Sequence, residues 1–127
     1  MRALAEAEAR WAARGFPDYA IEMLHVCFCA PEVTQWARVE VVAGSVSRVV
    51  LLESGADMSA EQRSYFQTVE QVFGAIREAN NHYGGLKDVI VEFDRTLGFP
   101  TEVNFVPEPD LVDGGGARYL RNAGPIP

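Results

Sequence analysis

The chain has 127 residues, with 48% hydrophobic and 23% charged side chains, a formal net charge of -7 and a pI near 4.7. That is enough for one domain burying about two thirds of its unfolded surface, so neither a disulfide nor a metal is required for folding. The acidic balance and scattered basic residues argue against a nucleic-acid or anionic-membrane binder, which draws its affinity from a basic face.

The N-terminal stretch ALAEAEARWAAR predicts a helix over about 3–14, with Leu4, Ala7 and Trp11 on one face and Gly15 as its stop. The segment MRALAEAEARW has no apolar h-region and no small-residue cleavage site. As it stands the chain is therefore expected in the cytoplasm, unless a leader has been removed. No apolar run approaches the roughly 20 residues needed to span a bilayer.

DYAIEMLHVCFC predicts a first strand ending before Ala30-Pro31, with Tyr19, Ile21, Met23, His25, Cys27 and Cys29 on one face. WARVEVVAGSVSRVVLLE reads as a hairpin turning at Ala43-Gly44-Ser45. SGADMSAEQRS is expected to be a polar connection, and two capping-box patterns follow, Ser59 with Gln62 and Thr68 with Gln71.

The second box introduces a helix over about 68–82, its apolar stripe made by Val69, Val72, Phe73, Ile76 and Ala79. Glu61, Glu70 and Glu78 are read as a solvated face. KDVIVEFD and TEVNFVPE predict two more strands around a turn over 94–98 in which Gly98 takes positive φ. PEPDLVDGGG is a loop, ARYLRN a short last strand, and about 123–127 a flexible tail. The expected architecture is a single α+β domain over 1–127, an antiparallel sheet with two helices on one face in the order α-β-β-β-α-β-β-β.

Several landmarks occur together: Cys27-Phe28-Cys29-Ala30-Pro31, Thr68-Val69-Glu70-Gln71-Val72-Phe73, and Asp94 running into Gly98-Phe99-Pro100-Thr101. With them the chain resembles, over roughly residues 8–122, an uncharacterised bacterial family of predicted lipoproteins and secreted proteins. The resemblance implies one compact α+β domain and an exported or envelope location. It implies no catalytic residues.

The chemistry-bearing candidates are few. His25, Cys27 and Cys29 in a row on a straight strand lie about 6.6 Å apart, too far to converge on one zinc ion. His82 is the only other histidine. Three readings of the cysteines stand: reduced and buried on a covered strand, a short-range disulfide if the chain curls before Pro31, or a reactive thiol pair. Asp94, Asp110 and Asp113 fit turn chemistry better than a calcium loop, and Gly114-Gly115-Gly116 lacks the lysine of a phosphate loop. No cofactor or metal is called for.

Trp36, at the start of the hairpin, is a candidate interface aromatic. The leading functional reading is a non-enzymatic module that binds another protein or a cell-envelope component. The alternatives are a thiol-redox enzyme using Cys27 and Cys29, and a small-molecule carrier with a pocket between helix and sheet.

Overall fold

The computed structural model describes residues 2–27, 31–81, 86–107 and 116–126. Cys29, His82, Asp110, Asp113, Gly114 and Gly115 lie outside the described residues, so the readings placed on them are not addressed. In chain order the elements are α1 (Arg2–Ala12), β1 (Tyr19–Val26), a 3-10 turn (Pro31–Val33), β2 (Ala37–Val42) and β3 (Ser45–Leu51). Then follow α2 (Ala60–Arg63), α3 (Val69–Asn81), β4 (Leu86–Phe93), β5 (Pro100–Pro107) and β6 (Gly116–Pro125).

The six strands form one antiparallel sheet in the order β3-β2-β1-β6-β5-β4. Each half of the chain makes a three-strand meander, and the two meanders meet where the first strand pairs with the last. The register Met23↔Leu120, Leu24↔Tyr119 and His25↔Arg118 fixes that seam. The β2–β3 turn uses Ala43 at φ 52 and Gly44 at φ 80, the doubly positive φ of a twist-matched hairpin. Beyond β3, backbone bonds from Leu51 N–H to Ala56 and from Met58 N–H to Val49, both 2.9 Å, cover the outer edge of that strand.

The core has one address. Leu4, Ala7 and Trp11 of α1 and Val69, Val72, Phe73 and Ile76 of α3 share a buried cluster with Tyr19, Ile21, Met23, Val39, Val41, Val49, Val103 and Leu120 of the strands. The paired residues Tyr19↔Val41, Ile21↔Val39 and Met23↔Ala37 all point into it, as opposite residues on one face must. The α3 stripe begins at a closed capping box: Gln71 N–H donates to Thr68 Oγ1 at 3.0 Å, and Thr68 N–H to Gln71 Oε1 at 2.9 Å. An Arg77–Glu8 ion pair joins α3 to α1.

Three differences from the sequence reading have physical causes. The polar connection contains a third helix, α2, because the Ser59–Gln62 box closes in both directions. It stops after one turn because none of its residues is buried. The first strand ends at Val26, so Cys27 lies in a bend rather than on the ladder. The last strand continues to Pro125, pairing Ala20↔Gly124 and Tyr19↔Pro125, where the sequence reading expected a flexible tail. Asn122 at φ 57 makes this possible by forming a bulge that absorbs one residue between Arg121 and Gly124. No helix among the described residues is long and apolar enough to cross a membrane.

Candidate functional site

Polar side chains gather at three places. The first lies where α1, β1 and the start of α3 converge. Trp11 Nε1 donates to Glu70 Oε2 at 2.6 Å, and the Tyr19 hydroxyl donates to Glu70 Oε1 at 2.8 Å while accepting from Val69 N–H at 2.9 Å. Arg14 lies over the Trp11 ring at 4.2 Å and 3.7 Å from the Glu70 carboxylate. Burial and the hydrogen bond to Glu70 push the Tyr19 phenol well above its ordinary range. Burial opposes the Glu70 charge, but the donors from Trp11 and Tyr19 outweigh it and hold the carboxyl below its usual value.

Glu70 is thus not simply part of a solvated helix face, as its sequence position suggests. Its one carboxylate fastens α1 and β1 to α3. The donors are already mutually satisfied, so the arrangement is a structural bolt rather than a reactive centre.

The second place is the far end of β1. His25 is 7% exposed, and Phe66 meets it edge-on at 5.1 Å. Burial and the neighbouring Arg118 charge lower the His25 pKa to about 4, so the ring is neutral near pH 7. Arg118, opposite it across the β1–β6 seam, lies 5.7 Å from the Phe105 ring centroid, and burial depresses its own pKa. Two residues on, Cys27 is exposed. The reading of Cys27 as a buried small residue on a covered strand is therefore wrong, because the ladder has already ended.

The third place is the opposite face of the sheet. Its β1, β2 and β6 positions carry alternating charges: Arg121 pairs with Glu22 at 2.7 Å, and Arg38 with Glu40 at 2.7 Å. Beside this polar stretch the surface turns apolar. Leu24, Trp36, Leu52 and Arg121 line a groove of about 450 Å³ with Thr34, Gln35 and Glu53. The Arg121 guanidinium lies 3.7 Å from the Trp36 ring centroid, held from behind by Glu22. Leu52 is 41% exposed, and Val26, farther along β1, is 50% exposed.

A family model described as a family of unknown function, DUF6174, matches residues 3–124. The chain belongs to DUF6174. No curated protein and no solved structure matches it.

In this DUF6174 chain the fold brings Trp36 together with Leu24 and Arg121, residues from three separate segments. It sets His25 against Arg118, a residue that sequence reasoning did not single out. No spacing rule links positions 25 and 118, because their meeting depends on the pairing of the first strand with the last. Asp94 caps its own turn, its Oδ2 accepting from Thr96 N–H at 3.0 Å and from Leu97 N–H. Among the described residues no group of three or more His, Cys, Asp or Glu side chains is placed to hold a metal ion.

Proposed function

We propose that this DUF6174 domain is a non-enzymatic module that binds another protein, in the cell envelope, through the sheet face bearing Trp36. The observation that carries the reading is the Trp36–Arg121 groove. An aromatic ring stacked on a cation that is itself anchored by Glu22 is a rigid platform, and Leu24 and Leu52 give it apolar walls. Aromatic and arginine side chains that lose little freedom on binding are the usual anchors of protein interfaces. The expected occupant is a protein segment that places an apolar side chain beside Trp36.

The envelope location brings a second element. In an oxidising compartment Cys27 and Cys29, the only cysteines in the sequence, have each other as partner within the chain. The bend at Cys27 removes the straight-strand spacing that would keep their sulfurs apart. A bridge there would stiffen the exit from β1 and add little loop-closure entropy.

The test is a random-peptide display selection against the full chain. Selected peptides should bind wild type and fail on W36A, with the melting temperature of W36A close to that of wild type. Peptides that bind both proteins equally would place the interaction elsewhere. Intact mass measured without reductant tests the bridge, which requires the loss of two hydrogens relative to the reduced chain.

A further inference from the structure

We propose that Arg118 and His25 form a binding site for the carboxylate of a small organic monoacid, within the layer between sheet and helices. The site is on the opposite side of the sheet from the Trp36 groove and does not depend on the protein-binding reading.

Four buried nitrogens carry the inference. Arg118 Nε and Nη1 and His25 Nδ1 and Nε2 are all shielded from solvent, and none has a hydrogen-bond partner. The Val33 backbone lies near the imidazole without completing a hydrogen bond to either nitrogen. Buried polar groups are almost always satisfied, and Arg118 is a half-buried cation with two of its three nitrogens shielded and unpartnered.

The other arginines show how unusual this is. Arg10 and Arg14 also bury an unpartnered Nε, yet their terminal nitrogens reach the Asp94 carbonyl and the Trp11 and Pro17 carbonyls. Arg77 and Arg121 pair with Glu8 and Glu22. For Arg118 no carboxylate lies within ion-pair distance among the described residues, and its ring neighbour Phe105 cannot neutralise it. His25 contributes a neutral imidazole with one N–H to donate.

The walls select the class of anion. Phe105 lies beside the guanidinium and Phe66 meets the imidazole edge-on, so the carbon body of a bound monoacid would have rings to contact. One cation compensates one negative charge. A phosphate dianion would bring a second charge with no second cation described beside it, whereas a planar carboxylate matches the guanidinium in charge and shape. The site also lies near the surface, because Val26 and Cys27, the next residues along the chain, are exposed.

Thermal melts of the full chain decide the matter, with acetate, butyrate, benzoate and inorganic phosphate as probes at matched ionic strength. Wild type should show a saturable rise in melting temperature with at least one monocarboxylate and none with phosphate. R118M should melt at or above the wild-type temperature without ligand, because it removes a half-buried charge with no ion-pair partner among the described residues, and should gain nothing from the carboxylate. Should R118M fail to fold, calorimetric titration of the same carboxylate into R118K, which keeps the charge but loses the planar fork, should show affinity reduced at least tenfold. The proposal is overturned if no carboxylate moves wild type, if phosphate acts equally well, or if R118M or R118K responds as wild type does.

Discussion

Gly98 lies so close to α1 that a Cβ at that position would be 2.2 Å from the Ala7 carbonyl oxygen and 2.9 Å from Arg10 Cβ. Its φ of 85 is the left-handed conformation required by the turn between β4 and β5. The turn is held by Asp94, whose backbone accepts from Gly98 N–H at 3.1 Å and donates to the Phe99 carbonyl at 2.8 Å. G98A therefore meets both backbone strain and a collision with helix backbone that cannot swing aside. The expected loss is on the order of 3 kcal/mol, read as a lower urea midpoint with the slope unchanged. A variant as stable as wild type would mean that α1 does not dock on this turn.

Phe73 anchors the α3 stripe. It is 3% exposed and stacks on Phe93 with ring centroids 6.2 Å apart. F73A removes that ring from a closed core, and a cost of about 3 to 5 kcal/mol is expected in a denaturant melt. A loss below about 1 kcal/mol would show that the stripe does not carry the packing.

These two positions were legible in the sequence because their causes are local. A Gly after an Asp turn and apolar residues at three- and four-residue spacing act within a few residues of themselves. The meeting of His25 with Arg118 is different, since it requires closing almost the whole chain, and neither flanking sequence names its partner strand. Glu70 departs from a solvated-face reading for a similar reason: on its own helix it faces outward, and only α1 and β1 supply the donors that claim it. Cys27 falls outside the strand that its alternation implies because the alternating pattern continues past the last ladder pair at Val26↔Ala117. The bulge at Asn122 is a backbone event that side-chain alternation does not reveal.

The Tyr19–Glu70 bond should show energetic coupling. E70A leaves Trp11 Nε1 and the Tyr19 hydroxyl without their acceptor, while Y19F leaves Val69 N–H without its own. Because the Glu70 side chain is about half exposed, water replaces part of what is lost, and E70A should cost about 1 to 2 kcal/mol. The double variant should cost less than the two single losses added, with a coupling of about 1 kcal/mol. Strict additivity in the melts would mean that the two side chains act independently.

The acid sensitivity of the fold follows from His25. Its pKa is about 4 in the folded chain against an ordinary 6.5, so the native state favours the neutral ring. Between those values the unfolded chain binds the proton and the folded chain does not. Stability therefore falls as pH drops through 6.5, and the loss is complete once pH is below about 4. At roughly 1.4 kcal/mol per pH unit, the full penalty is about 3 kcal/mol. The described charge facing His25 is Arg118, whose repulsion acts in the same direction as burial. Glu70 is affected in a lower window, because a depressed carboxyl pKa gives up its contribution only as pH falls below its ordinary value near 4.5. Urea midpoints measured from pH 7 to pH 5 should fall in wild type and stay nearly level in H25F, which fills the site with an uncharged ring. Parallel slopes for the two proteins would mean that His25 takes up its proton in the folded chain as readily as in the unfolded one.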